Sequence, residues 1–181
     1  MAFIAAGVAL RIFPHAPNFT PVAAIALFGA VYFTKKMALI VPMVAMAISD
    51  AFIGYYDLKL MAIVYGSFLL CVIVGFWLKK NKKWYTILGS AFLSAFIFFF
   101  FTNFAVFAFS DWYPKTVSGL ISCFVMALPF FKNTLLGTLF YSAVLFGVYE
   151  GARVLIGKKL TIVKINSLIT ERKLFPKIIL R

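Results

Sequence analysis

Long apolar stretches alternate with short polar breaks along this chain, and their lengths predict membrane helices. Residues 60–78 and 84–107 approach or exceed the roughly 20 residues that an α-helix needs to cross the hydrocarbon of a bilayer. Two shorter stretches, 21–34 and 37–48, flank a pair of lysines and predict either tilted passes or a re-entrant hairpin. Residues 1–13 predict a short first helix, because they lack the basic leader and the cleavage site of a signal peptide.

The apolar stretch 116–156 has enough residues for one long helix or two shorter ones. Pro129 and Lys132 interrupt it, so we expect an outer helix or partial re-entry over 116–128 and a last crossing over 131–155. The pattern therefore predicts about six transmembrane helices plus one short outer helix.

The composition indicates that lipid is the solvent. Hydrophobic residues make up 64% of the 181 residues, and the mean hydropathy is +1.02, which is more apolar surface than a soluble core of this size can bury. The predicted fold class is therefore an all-α membrane protein. A net charge of +13 would favour nucleic acid in a soluble domain. Here the Lys and Arg residues lie beside apolar stretches, as in loops that face anionic lipid, so nucleic acid is not an expected partner.

The basic residues also predict which side of the membrane each break faces. The run KKNKK at residues 79–83 is placed in the cytoplasm by the positive-inside rule, as is the basic tail 158–181 that follows the predicted bundle 1–157. We therefore expect both termini in the cytoplasm and a chain that crosses the membrane several times. All but four of the 18 Lys and Arg residues lie inside; the four outside are Arg11, Lys59, Lys115 and Lys132.

Three breaks, 11–21, 49–57 and 103–115, then lie on the outer side and predict a cavity there. Polar groups near hydrocarbon are costly unless they are paired or functional, so these breaks supply candidate substrate-binding side chains. The candidates are Arg11, Asn18, Asp50, Tyr55, Asp57, Asn103, Trp112 and Asn133.

Several of these residues also have a structural explanation. Asp50 could instead pair with Arg11 and lock two helix ends, and Asn103 could form an interhelical hydrogen bond. Asn133 could cap a helix. The aromatic residues of the breaks are typical of an interfacial belt, and His15 is more typical of a loop hydrogen bond than of a ligand group.

Motifs for ordinary enzyme chemistry are missing from the sequence. It contains one histidine and no GxSxG, P-loop, GxGxxG or HExxH motif, and Cys71 and Cys123 lack the spacing of metal ligands. We therefore expect no enzyme activity, no cofactor and no metal. An aspartate pair for intramembrane proteolysis is disfavoured, because Asp50 and Asp111 are expected in interfacial loops.

One resemblance rests on three sequence motifs. The string RxxPxxPNFTPxxAxALFG over residues 11–29, the Ser49, Asp50 and Gly54 positions, and LPFFxNT over residues 128–134 resemble a family of small, uncharacterised bacterial membrane proteins provisionally described as transport proteins. That family is in turn similar to the S components of energy-coupling factor (ECF) transporters. The resemblance covers nearly the whole chain except its basic tail.

The resemblance implies a six-helix S-component-like bundle that captures a vitamin or similar nutrient through the loops after helices one, three and five. It also implies docking on a transmembrane coupling subunit, driven by two ATPases, through small residues of the first helix. Ala2, Ala5, Ala6 and Ala9 match that spacing. The first three helices are shorter than the resemblance implies, and the signatures of the riboflavin, thiamine and biotin members are absent. The alternative is a polytopic membrane scaffold without transport, whose tail binds anionic lipid or a cytosolic partner.

Overall fold

The computed structural model describes residues 2–14 and 16–174, with side chains as far as residue 157. His15 and the side chains of the predicted basic tail lie outside these described residues. Within them the chain forms six α-helices and no strand. The helices are α1 (Ala2–Ile12), α2 (Val22–Tyr32), α3 (Lys35–Ile53), α4 (Leu58–Lys80), α5 (Trp84–Phe109) and α6 (Val117–Leu174).

Four of the helices in the described part are long and apolar enough to cross a membrane: α3, α4, α5 and the stretch Val117–Gly157 of α6. The helices α1 and α2 have 11 residues each, or about 17 Å at 1.5 Å per residue, which is shorter than the hydrocarbon layer. The predicted all-α class is confirmed, and the apolar helices indicate a membrane protein. The number of crossings and the side of each terminus stay predictions.

The helix α3 is longer than the sequence predicted. The expected break over 49–57 shrinks to residues 54–57, because α3 continues through Ser49 and Asp50 to Ile53. The Ser49 hydroxyl donates a hydrogen bond to the Ala45 carbonyl oxygen at 2.7 Å, as serine hydroxyls do in membrane helices. The helix ends at Gly54, whose φ of 114° is open to glycine and strained for other residues.

The predicted break at Pro129 is wrong, since Pro129 lies within the continuous helix α6. The separate outer helix expected over 116–128 is the first part of that same helix. A proline removes one backbone hydrogen bond, but membrane helices tolerate this where local adjustment satisfies the freed carbonyl.

The short helix α2 forms the centre of the packing. Every residue from Val22 to Val31 is buried, and alanine and glycine make up half of them. A helix that is apolar on all sides belongs inside a bundle, and its small side chains let neighbouring helices approach closely. Gly75 of α4 is such an approach, because a Cβ added there would lie 2.5 Å from the Cβ of Ala30 and 3.0 Å from the carbonyl oxygen of Leu27.

The chain divides into two compact units, residues 1–145 and 146–181. In the second unit, Arg153 pairs with Glu150 at 3.7 Å, and its guanidinium lies 6.0 Å from the ring centre of Tyr149. This pair is exposed, so it stabilises the unit only slightly. The predicted boundary at residue 157 stays a prediction.

Replacing Gly75 by alanine should destabilise the first unit by roughly 1–3 kcal/mol, because the new methyl group overlaps α2. Gly66→Ala on the same helix is the matched control, since a Cβ there meets nothing within 4 Å and alanine favours helix by about 1 kcal/mol. Thermal unfolding in detergent, followed by circular dichroism, measures both changes. Equal melting temperatures for the two variants would contradict the close contact of α2 with α4.

Candidate functional site

A charged cluster joins the ends of α1, α3 and α4. Arg11, in the last turn of α1, donates from Nη1 to the Asp50 Oδ1 at 2.5 Å and to the Ser49 Oγ at 2.5 Å. The Tyr65 hydroxyl donates to the other carboxylate oxygen of Asp50 at 2.8 Å. The Asp50 side chain is only 1% exposed, and that of Arg11 is 17% exposed. Both oxygens of this buried carboxylate therefore accept a hydrogen bond, as a charge in an apolar surrounding requires.

This geometry confirms the pairing of Arg11 with Asp50 as the lock between two helix ends. The expectation that Asp50 lies in an interfacial loop was wrong, because it occupies the last turn of α3. The argument against a helix-embedded aspartate pair therefore loses its basis for Asp50. Asp111 does lie outside the helices.

Tyr56 lies beside this cluster in the short connection between α3 and α4. The pKa of the Tyr56 phenol is raised to about 12 by its partial burial and by the Asp50 carboxylate, against the opposing effect of the Arg11 guanidinium.

A separate cavity of about 310 Å³ opens between the α1–α2 loop, α4, α5 and the part of α6 that lies in the first unit. All of its lining side chains are uncharged. They are Pro17, Asn18, Val64, Phe98, Phe99, Thr102, Asn103, Val106, Phe130, Phe131 and Thr134. A recess of about 20 Å³ shares Asn18, Phe98 and Thr134 with this cavity and extends to Thr20, Ala23, Phe68 and Thr138, so the polar lining continues toward α2.

The loop that carries Asn18 is held against α6. Asn18 has a φ of 63°, a left-handed conformation that asparagine adopts more readily than most residues. The next residue, Phe19, packs its ring against Phe140 and Tyr141, with ring centres 6.0 and 5.6 Å away. Gly137 permits this approach, since a Cβ at that position would lie 3.1 Å from the Cα of Phe19.

The threonine hydroxyl groups of the cavity donate their hydrogen bonds to backbone carbonyls of their own helices. Thr102 donates to the Phe98 carbonyl at 2.7 Å, and Thr134 donates to the Phe130 carbonyl. The oxygen lone pairs of both hydroxyls can therefore accept hydrogen bonds from a ligand. Phenylalanine faces line the remainder, so the cavity suits an uncharged ligand that has an apolar body and N–H or O–H donors.

Asn103 adds an amide to this lining. Its Nδ2 donates to the Phe99 carbonyl at 2.7 Å within α5, so the side-chain amide does not form the interhelical bond considered from the sequence. The backbone carbonyl of Asn103 does accept one, from the Cys123 thiol of α6 at 3.4 Å. The Asn103 Oδ1 has no hydrogen-bond partner among the described residues and can accept one from a ligand.

The eight predicted site residues thus separate into groups. Asn18 and Asn103 both line the cavity, whereas Arg11 and Asp50 bind each other. The two sites are close along α4, because Tyr65, which donates to Asp50, follows the lining residue Val64. The remaining four line neither this cavity nor its recess. Asp57 caps the N-terminus of α4, Tyr55 and Trp112 are 72% and 78% exposed, and Asn133 precedes the lining residue Thr134.

Sequence reasoning missed the threonines of the cavity and its recess. The lining residues that it did not identify include Thr20, Thr102, Thr134 and Thr138. Two signals were present: Thr20 and Thr134 belong to the NFTP and LPFFxNT motifs, and Thr134 and Thr138 have the four-residue spacing of one helix face.

The alanines predicted for docking lie on α1. Ala2, Ala5 and Ala6 are exposed, and Ala9 is half-buried. The one buried residue of α1, Gly7, faces Ile25 and Ala45. The alanine face therefore lies largely outside the contacts that hold α1 in the first unit.

Comparison with known proteins assigns the chain to one family. Residues 1–160 match the family of unknown function DUF6580, and the chain belongs to that family. No curated protein and no solved structure matches it.

Removing one member of the Arg11–Asp50 pair should leave an unpaired buried charge. We expect Arg11→Met and Asp50→Leu each to lower the stability by roughly 3 kcal/mol or more, and the double variant to recover a large part of the loss. Thermal unfolding of the four proteins in detergent gives the coupling. Purely additive losses would show that the two side chains do not depend on each other.

Proposed function

We propose that this member of DUF6580 is a substrate-capture subunit, similar to an S component, for uptake of a small vitamin-like nutrient across a bacterial inner membrane. The observation that carries the proposal is the uncharged cavity around Asn18 and Asn103. Its volume of about 310 Å³ is at the lower end of the range for small-molecule sites. The resemblance to S components implies the transport process, in which the substrate is captured from outside and carried inward with energy from separate ATPases.

The position of the cavity along α5 supports capture from the outer side. Asn103 follows Trp84, the first residue of α5, by 19 positions, or about 28 Å at 1.5 Å per residue. The lysine-rich turn that precedes Trp84 is the segment expected in the cytoplasm. With that orientation, Asn103 lies close to the opposite boundary of a hydrocarbon layer about 30 Å thick, where a cavity can fill from water.

The chemistry of the lining favours an uncharged, ring-containing nutrient. Asn103 and the two threonines provide acceptors for its N–H or O–H groups, while Phe99 and Phe131, with ring centres 4.7 Å apart, provide apolar faces. A carboxylate or phosphate ligand would meet no cation in this lining and would lose its hydration without compensation.

Docking on a coupling subunit is supported by the alanine face of α1. Small side chains at three- and four-residue spacing let another membrane helix approach closely, and Ala2, Ala5 and Ala6 are exposed. A rocking motion of the docked bundle would then carry the cavity inward.

Ligand binding should appear as a thermal shift when purified protein is screened against uncharged vitamins and their precursors. Asn103→Leu and Thr134→Val keep the side-chain volume but remove hydrogen-bond acceptors. Each should weaken ligand binding at least tenfold, because an N–H or O–H donor of the buried ligand is left without an acceptor. Ser118→Ala, an exposed position on α6, is the control and should leave affinity unchanged. Absence of any shift across the panel, with no ligand in native mass spectra, would count against the proposal.

The orientation can be tested independently in cells by cysteine labelling. With Cys71 and Cys123 replaced by alanine, an impermeant maleimide should label Ala16→Cys and Tyr56→Cys from outside but spare Asn81→Cys until the membrane is permeabilised. All three native side chains are exposed, so the reagent can reach each one once it is on the same side. Labelling of position 81 alone from outside would indicate the opposite orientation, in which the cavity faces the cytoplasm.

A further inference from the structure

A second polar cavity lies at the turn between α4 and α5. It measures about 300 Å³ and is lined by Trp77, Lys80, Asn81, Lys82, Lys83, Tyr85 and Thr86. No acidic side chain is among these lining residues. Three ammonium groups and two aromatic rings therefore surround a space that suits an anion. One of these ammonium groups, that of Lys82, also donates to the Tyr32 hydroxyl at 3.2 Å.

The start of α5 adds to the positive potential of this cavity. Lys83 precedes the helix, and Tyr85 and Thr86 belong to its first turn, where backbone N–H groups have no partner inside the helix. The N-terminal end of a helix of 26 residues also carries the positive end of the backbone dipole. Phosphate is the anion that such N-termini bind most readily in proteins.

An apolar groove continues from the basic cavity along the outside of α4 and α5. It measures about 260 Å³, shares Trp77, Tyr85 and Thr86 with the basic cavity, and extends to Gly89, Ser90 and Leu93. A Cβ at Gly89 would meet nothing within 4 Å, so the groove is open where α5 lacks a side chain. The two spaces together offer a charged end and an apolar channel.

Ser90 places a buried polar group beside the groove, and it is one of three buried serines, with Ser94 and Ser142, whose hydroxyls have no hydrogen-bond partner among the described residues. The Ser90 side chain is 2% exposed and lines the groove. Serine hydroxyls in helices usually donate to the carbonyl one turn earlier, as Ser49 and Ser67 do here. A buried hydroxyl without a partner is costly, and an ester carbonyl at this depth would satisfy it.

We propose that the basic cavity and the groove form a binding site for one anionic phospholipid. The phosphate lies among Lys80, Lys82 and Lys83 at the start of α5, an ester group lies near the Ser90 hydroxyl, and an acyl chain follows the groove past Gly89 and Leu93. A soluble phosphate would fill only the basic cavity and leave the groove and Ser90 without a partner. This site is separate from the nutrient cavity and does not depend on the proposed uptake.

Native mass spectrometry and titration in detergent test the headgroup end, with phosphatidylglycerol and phosphatidylcholine of the same acyl chains as probes. The protein should bind phosphatidylglycerol at least tenfold more tightly, and Lys80→Gln combined with Lys83→Gln should remove that preference. The matched control, Lys35→Gln with Lys36→Gln, removes the same charge from an exposed pair outside the cavity and should leave affinity within twofold. Equal binding of the two lipids, or equal loss in both double variants, would overturn the site.

The groove is tested by Gly89→Leu, which should lower affinity for phosphatidylglycerol at least tenfold while inorganic phosphate binds as before. Gly66→Leu, at another open glycine, is its control. Ser90→Ala, a smaller change, should weaken the lipid severalfold without lowering the melting temperature. Unchanged lipid affinity in both groove variants would reduce the site to a free-anion cavity and overturn the assignment to a phospholipid.

Discussion

A single buried carboxylate constrains one end of this bundle. Asp50 is the only acidic side chain that is buried in the part of the chain whose side chains are described, and it lies on a helix otherwise rich in apolar residues. An ionised group in such surroundings is tolerated only with a counter-charge and full hydrogen bonding. Arg11 and Tyr65 supply both, so the ends of α1 and α3 and the first half of α4 must keep their mutual positions. The α1–α2 loop starts two residues after Arg11, and its course toward the cavity around Asn103 therefore begins from a fixed point.

Close packing through small side chains connects the ion pair to the cavity. The central helix α2 is short and built half from alanine and glycine, so its neighbours approach its backbone, as Gly75 of α4 does. On the other side of the cavity, Gly137 lets Phe19 approach α6, and Asn18, the residue before Phe19, has a left-handed conformation. Filling either glycine with a larger side chain would move a whole helix or loop, because close-packed interiors accommodate added volume poorly.

The sequence predicted those features that depend on local pattern. The helices α4 and α5 deviate by two residues or fewer from the predicted stretches 60–78 and 84–107, because long apolar runs end at charged or polar residues. The continuity of α3 through Asp50 depends on Arg11, which lies 39 positions earlier in the chain, and no local pattern contains that partner. Asn18 and Asn103 were predictable as amides that hydrocarbon cannot satisfy. The threonines of the cavity were not, since each one bonds its own helix and so looks structural in the sequence.

One cavity is lined by lysines and the other by uncharged residues, and the length of α5 explains why they lie far apart. At 26 residues this helix is about 39 Å long, so it exceeds a hydrocarbon layer of about 30 Å, and its two ends reach opposite headgroup regions. The cations at its start, Lys80 and Lys83, cannot enter hydrocarbon and must remain at one of these regions. At the other end Arg11 is paired with Asp50, and the cavity around Asn103 has no charged side chain in its lining. The cavity beside Lys80 and Lys83 therefore carries a positive potential, whereas the cavity around Asn103 offers only uncharged groups.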